Sequence, residues 1–227
     1  MLGKLYVVGT PIGNLDDLTF RAKRILNEVS LIAAEDTRVS QKLLKYYDIE
    51  TKLVSYHDYN EVPQSIKLIE KIKEGIDIAI ISDAGTPCIS DPGYRIVNLA
   101  QKENIKVISI PGPSSVIAAL SISGVPTDHF YFEGFLPPKK GRKKRFELLE
   151  TLPVTIVVFE SPHKLMKTLN ELNDYWGNRI ISICREVTKV YEETFFGTIL
   201  DSIDYYGNCK PRGEFVLLIS KKGYNLN

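Results

Sequence analysis

Ile80-Ile-Ser-Asp-Ala-Gly-Thr-Pro-Cys-Ile-Ser-Asp-Pro-Gly93 is the stretch on which the reading of the fold turns. An apolar run, Ile76-Asp-Ile-Ala-Ile-Ile81, stops at Ser82 in a polar segment carrying Asp83, Gly85, Pro87, Asp91, Pro92 and Gly93. A buried strand ending this way reaches the lip of a parallel sheet, where open α/β sheets bind ligands. Gly85 lets backbone approach a ligand closely, and the prolines leave the loop little freedom to lose. Ordinary strand-to-helix turns use the same residue types, so the flanking sequence has to decide between the two.

Upstream, Lys4-Leu-Tyr-Val-Val-Gly9 is strand-like and ends in Thr10-Pro-Ile-Gly-Asn14; Leu18, Ala22, Ile25, Leu26 and Val29 follow at helical spacing. Leu31-Ile-Ala-Ala34 runs into Glu35-Asp36-Thr37-Arg38, and Val39, Leu43, Leu44 and Tyr47 mark a second helix. After a strand at 52–56, Asn60 is placed to cap a helix with Pro63 in its first turn and Val62, Ile66, Ile69 and Ile72 as its apolar stripe. Downstream come a helix after Pro92, a strand at 105–110, and Pro111-Gly-Pro-Ser-Ser115, which opens a helix to about Ser123. Five strands alternating with helices predict a mostly parallel sheet with helices on both faces. Right-handed crossovers then gather the loops at 9–14, 35–38, 82–93 and 111–115 on one rim.

Gly124-Val-Pro-Thr-Asp128 breaks that rhythm, so the sequence predicts an N-terminal α/β domain at 1–124 and a C-terminal α/β domain at 125–227. In the latter, strands are expected at 129–134, 154–159, 179–184, 189–196 and 213–219, on a mixed sheet that includes an antiparallel pair from 179–184 and 189–196. Ser161-Pro162 has the form of an N-cap followed by proline, leading a helix with Leu165, Leu169 and Leu172.

With 29 basic and 28 acidic residues the chain has no global field to attract nucleic acid, so a local patch must supply it. Lys139, Lys140, Arg142, Lys143, Lys144 and Arg145 place six cations within seven positions, enough to anchor a phosphate backbone by counterion release. Three isolated cysteines and three scattered histidines form no metal framework. No apolar run is long enough to cross a bilayer and the N-terminus lacks a signal-peptide layout; a reduced, cytoplasmic protein is expected. Gly9-Thr-Pro-Ile-Gly13 is neither a dinucleotide fingerprint nor a P-loop, and no Gly-x-Ser-x-Gly elbow occurs.

Eight ordered blocks nevertheless carry a resemblance: Val8-Gly-Thr-Pro-Ile-Gly-Asn-Leu15, Ala34-Glu-Asp-Thr-Arg38, the segment 82–93, Pro111-Gly-Pro-Ser-Ser115, Gly134-Phe-Leu-Pro137, Glu160-Ser-Pro-His163, Cys184-Arg-Glu-Val-Thr-Lys189 and Arg212-Gly-Glu-Phe-Val216. Together they resemble the tetrapyrrole methylase superfamily, and within it the enzymes that methylate small-subunit ribosomal RNA. The resemblance implies two α/β domains with S-adenosylmethionine in the cleft between them, and usually a homodimer. It also implies methyl transfer to the ribose 2′-hydroxyl of a decoding-centre cytidine, cytidine 1402 of 16S ribosomal RNA in the usual numbering. Carried over by position, the cofactor-binding set is Pro11, Ser82, Asp83, Ala84, Gly85, Ile89, Ser90, Ser114, Ser115, Gly213 and Glu214. A ribose hydroxyl is a poor nucleophile, so a positioned base would help. Glu35, Asp36, Glu160 and Lys189 are the candidates, with Glu35 and Lys189 preferred; Tyr191 stands where the family often has histidine. A small-molecule tetrapyrrole methylase and a non-catalytic RNA-binding or ribosome-assembly factor are the alternative readings.

Overall fold

Short, mostly apolar strands dictate the first half of the computed structural model, which describes residues 2–225. The elements are β1 (Leu5–Val8), α1 (Phe20–Glu28), β2 (Leu31–Ala34), α2 (Thr37–Tyr46), β3 (Leu53–Ser55), α3 (Glu61–Lys73), β4 (Ile78–Ile81), α4 (Tyr94–Lys102) and β5 (Val107–Ile110). All five strands pair in parallel in the order β3-β2-β4-β1-β5. Every residue of β2 and of β4 is buried, as strands covered on both faces require.

Helices cover the two faces in separate pairs. Ala22, Ile25 and Leu26 of α1 and Leu44 of α2 pack with Val8, Ile32, Ala34 and Ala79. Leu68, Ile69 and Ile72 of α3 and Ile96 and Ala100 of α4 pack with Leu5, Ala33, Ile78 and Ile80. The chain therefore leaves β2 toward one face and the adjacent β4 toward the other. Their C-terminal ends form the topological switch point, the place where such sheets bind ligands.

Two expected stripes were misplaced. On α3, Val62 and Ile66 are 53% and 55% exposed, and the buried face is instead Glu61, Ser65, Leu68, Ile69 and Ile72. On α2, Val39 is exposed, and Ser40 and Leu44 face inward. In both helices a small or hydrogen-bonded polar residue takes the inward position in the first turn and displaces the apolar one.

Two backbone contacts sew the rim of this unit together. Thr10 N–H donates to Gly85 O (2.8 Å) and Gly85 N–H to Thr10 O (3.1 Å), an antiparallel bridge just beyond β1 and β4. Beyond β1 and β5, Gly9 and Gly112 touch so closely that a Cβ on Gly9 would lie 2.8 Å from Gly112 Cα.

The second unit comprises α5 (Ser115–Ile122), β6 (Phe130–Phe135), α6 (Arg142–Glu150), β7 (Thr155–Glu160), α7 (Leu165–Trp176), β8 (Ile180–Arg185), β9 (Glu193–Thr198), α8 (Ile199–Gly207) and β10 (Phe215–Ile219). Its sheet runs β6-β7-β10-β8-β9, with β6 and β7 parallel and the remaining pairs antiparallel. Phe146, Leu149, Leu165, Leu169, Leu172, Trp176 and Tyr206 close its core over Ile156, Ile183 and Leu217. The first compact unit runs through Ser114 and the second begins at Ser115, ahead of the break expected at Gly124, because α5 packs on β10. Helix α7 starts at Leu165 rather than at Ser161-Pro162; residues 161–164 form a turn in which Lys164 N–H donates to Ser161 O. Residues 189–192 are also a turn, so β9 begins at Glu193.

The two kinds of constraint on glycine separate experimentally. Gly9→Ala is expected to cost about 1–3 kcal/mol, because the methyl group has nowhere to go against Gly112. Gly141→Ala, at φ +81° with open space around it, costs only the left-handed penalty of about 1–2 kcal/mol. Urea unfolding of the two variants beside the unsubstituted protein measures the two costs.

Candidate functional site

At the switch point, the loops after β2 and β4 are hydrogen-bonded to each other through their acids. Asp83 N–H donates to Glu35 Oε2 (3.3 Å), and Asp36 N–H donates to Asp83 Oδ1 (3.0 Å). Burial pushes the Glu35 carboxyl up; the hydrogen bond from Asp83 N–H opposes it, and the charges of Asp83, Asp58 and Asp36 add to it. Asp83 is likewise raised by burial, against the hydrogen bond from Asp36 N–H. Asp36 behaves differently. It caps α2 and takes two hydrogen bonds from the Arg38 guanidinium, which hold its carboxyl well below the usual range. Asp36 is therefore a turn-stabilising acid and is removed as a base.

The segment 82–93 is held at several points along its length. Ser82 is buried, its carbonyl accepting from Thr10 Oγ1 (3.2 Å), and Pro11 is buried directly after the bridge to Gly85. Left-handed backbone recurs at Gly85, Cys88, Ser90 and Gly93. Between these points Asp83, Ala84, Ile89 and Ser90 are exposed. Asp91 is pushed up to about 6, first by burial and then by the charge of Glu35, against a hydrogen bond from Ser82. Burial pushes the Cys88 thiol up to about 11, so it is no nucleophile near neutrality.

In the second unit, Gly213 at φ +90° lies against Glu186; a Cβ there would meet Glu186 Cγ at 2.4 Å. Glu186 Oε1 accepts from Glu214 N–H (2.9 Å) and from Lys189 Nζ (2.9 Å), and Lys189 Nζ also donates to Glu214 Oε2 (2.8 Å). Burial works against the Lys189 charge, yet the bonds to Glu214 and Glu186 outweigh it and raise its pKa. Lys189 is thus held as a cation between two carboxylates, an arrangement that disfavours the loss of its proton that a base requires. Glu160 is buried, accepting from Ser161 N–H (2.7 Å) and Thr168 Oγ1 (2.6 Å), which makes it a structural acid at the entry to α7.

The basic cluster divides by burial. Lys139, Lys140, Lys143 and Lys144 are exposed around Gly141 and the first turn of α6, and Arg145 is half-buried against Glu133 (3.1 Å). Arg142 is 6% exposed and donates to Glu171 Oε2 (2.8 Å), Pro137 O (3.1 Å) and Thr168 Oγ1 (2.7 Å). Its guanidinium is fully engaged inside the unit, so its assignment to RNA is corrected to a structural one.

Chemically, the first-unit rim offers raised carboxylates beside a tight backbone turn. That acceptor set fits a cationic group: Glu35, Asp83 and Asp91 are complementary in charge to the sulfonium and α-ammonium of S-adenosylmethionine, and Gly85, bridged to Thr10, turns the chain at φ +80°. Among the described residues no cluster of three or more metal-ligating side chains occurs. No helix of the described residues is long and apolar enough to cross a membrane. Sequence reasoning missed Thr10, whose backbone makes the bridge, and Glu61. A charged residue four positions before Ser65 and seven before Leu68, on the buried face of α3, was the available signal for Glu61.

Residues 4–202 match the family described as Tetrapyrrole (Corrin/Porphyrin) Methylases. The protein named Ribosomal RNA small subunit methyltransferase I from Halalkalibacterium halodurans is 50% identical over 223 residues, covering 97% of this chain and 77% of that protein. Its namesake from Thermotoga maritima is 43% identical over 221 residues, covering 97% of this chain and 100% of the relative. Uroporphyrin-III-C-methyltransferase from Thermus thermophilus shares the fold at a TM-score of 0.64 and 21% identity, over 96% of this chain and 94% of that one. Family match and near-full-length identity agree with the five-stranded parallel sheet and its acid-lined rim: the chain belongs to the tetrapyrrole methylase family, in the branch of the proteins named ribosomal RNA small subunit methyltransferase I.

Proposed function

We propose that this chain is an S-adenosylmethionine-dependent methyltransferase that modifies small-subunit ribosomal RNA at the ribose 2′-hydroxyl of a decoding-centre cytidine. The observation that carries the reading is the pair of carboxylates, Glu35 and Asp83, each accepting a backbone N–H from the other's loop at the β2/β4 switch point of a methylase-family sheet. The names of the relatives supply the class of substrate.

When bound, S-adenosylmethionine supplies an electrophilic methyl group on a positively charged sulfur. Pro11 and residues 82–85 line the proposed cofactor side of the rim, with Ile89 and Ser90 further along the loop. Ser114, Ser115, Gly213 and Glu214 remain in the proposed set on the strength of their motifs. Glu35 is the proposed proton acceptor for the ribose hydroxyl, because burial and neighbouring acids raise its basicity while its hydrogen bond from Asp83 N–H keeps it oriented. Lys189 is retained as a fixed positive charge between Glu186 and Glu214, without proton transfer.

The lysines around Gly141 are the proposed RNA contact. Helix α6 has no acidic residue in its first turn, so Lys143 and Lys144 add to the positive end of its dipole. Such an arrangement is unfavourable alone and is relieved by a phosphate.

Calorimetry with S-adenosylmethionine, followed by labelled methyl transfer to assembled small subunits and to naked RNA with mapping of the modified nucleotide, tests the reading. Failure to bind the cofactor would remove both enzyme readings, and label on a base or on a tetrapyrrole would remove the ribose target. Glu35→Gln preserves an acceptor for Asp83 N–H, so it should leave cofactor affinity near the unsubstituted value and lower kcat about a hundredfold or more. An undiminished kcat takes Glu35 out of the role. Exchanging Lys139, Lys140, Lys143 and Lys144 for glutamine should lower the log–log salt slope of RNA binding by about 3, with cofactor binding intact. Arg142→Ala should instead destabilise the protein by about 1–3 kcal/mol, since it removes the partner of Pro137 O and of Thr168 and leaves half-buried Glu171 with Lys167 alone.

A further inference from the structure

Helix α4 is preceded at its N-cap position by Gly93, at φ +138°, where a side chain cannot stand: a Cβ would lie 2.5 Å from Cys88 Sγ. Gly93 therefore cannot cap the helix with a side chain of its own, although the N–H groups of a first turn need acceptors. The missing acceptor comes from another helix. Glu61, the first residue of α3, accepts from Gly93 N–H (3.0 Å) and Arg95 N–H (3.3 Å) through Oε1, and from Arg95 Nε (3.1 Å) through Oε2. Tyr56 OH donates to the same Oε1 (3.1 Å) and is itself within 3.0 Å of Ser65 Oγ. Burial disfavours the Glu61 charge, but the bonds from Gly93, Arg95 and Tyr56 more than compensate, and its carboxyl lies below the usual range.

We propose that Glu61 is a positioning residue for the cofactor loop, capping α4 in place of Gly93 and so fixing the far end of residues 82–93. The inference rests on the cofactor reading above. The near end of the loop is already pinned, by the bridge from Thr10 to Gly85 and by the Asp83 bonds to Glu35 and Asp36. Residues 86–92 span the interval between the two clamps, and Cys88 and Ser90 within it hold left-handed backbone at φ 73° and 62°. Non-glycine residues keep such conformations only where the surroundings over-determine them. Release at Gly93 lets this interval relax, and Ile89, Ser90 and Asp91 lose their fixed places. Glu61 is not what holds α3 to the sheet; Leu68, Ile69 and Ile72 do that. Without Glu61, Arg95 is left with an exposed guanidinium and Tyr56 keeps Ser65, so the unit still folds.

The test compares unsubstituted protein, Glu61→Gln and Glu61→Ala by calorimetry with S-adenosylmethionine, by amide hydrogen exchange at Gly93 and Arg95, and by kcat against KM for the cofactor. Glutamine retains one acceptor and loses the pairing with Arg95, so Kd rises about threefold; alanine loses both, and Kd rises tenfold or more, at about 1.4 kcal/mol per tenfold. Faster exchange at Gly93 and Arg95 accompanies the loss, and KM for the cofactor rises while kcat at saturation holds. Should Glu61→Ala not fold, Glu61→Gln decides alone. Unchanged Kd in a folded variant overturns the inference and leaves the cofactor reading standing. No cofactor binding by the unsubstituted protein overturns both.

Discussion

Two backbone hydrogen bonds, exchanged between Thr10 and Gly85, set the geometry of the first unit's rim. β1 and β4 pair in parallel while α1 and α4, the helices that follow them, cover opposite faces of the sheet, so their outgoing loops would ordinarily separate. The bridge stops that separation at the first residues beyond the strands. Thr10 reinforces it by donating its hydroxyl to Ser82 O, and the close approach of Gly9 to Gly112 extends the same stitching to β5. With the backbone held, the acids of the neighbouring β2 loop meet Asp83 at hydrogen-bonding distance instead of being driven apart by their charges. Partial burial of several carboxylates together is tolerated because amide N–H groups are aimed at them.

Much of this was legible from sequence for one reason: strands buried on both faces are continuous apolar runs, and their ends are marked by small and turn-forming residues. Ile78–Ile81 and Leu31–Ala34 are such strands, and the parallel sheet follows from them. The mixed sheet of the second unit was visible in the short spacing between 179–184 and 189–196. Hydrophobic spacing failed where a polar residue had a structural task. It assigned Val62 and Ile66 to the core of α3, since a pattern of apolar positions cannot reveal that Glu61 finds four donors in three dimensions. It also treated six adjacent cations as one patch. Arg142 is distinguished from its neighbours only by Glu171 and Thr168, which are distant in sequence. The ambiguity over Lys189 has the same source, because Glu186 is local but Glu214 is not.

The second unit thus shows two uses of positive charge within a few residues. Arg142, with its planar fork, satisfies a carboxylate, a hydroxyl and a carbonyl at once and ties the start of α6 to α7. The lysines beside it make no comparable commitment, and their flexible stems keep the charge in water. A rigid guanidinium anchors the element that presents mobile ammonium groups. Lys189 follows a third pattern, in which the cation is neutralised on both sides and holds the turn after β8 to the approach of β10.

The strand order of the second sheet bears on how the polypeptide is made. β10 lies between β7 and β8, although it is the last of the unit's strands in sequence. During vectorial synthesis the first sheet has all its strands once Ile110 has left the exit tunnel. The second sheet is different: until Phe215–Ile219 emerges, β7 and β8 each expose an unpaired apolar edge, and α5 lacks the strand on which it packs. Folding of the nascent chain is therefore staged, and its most aggregation-prone interval is the one in which roughly half the protein waits for a single five-residue strand.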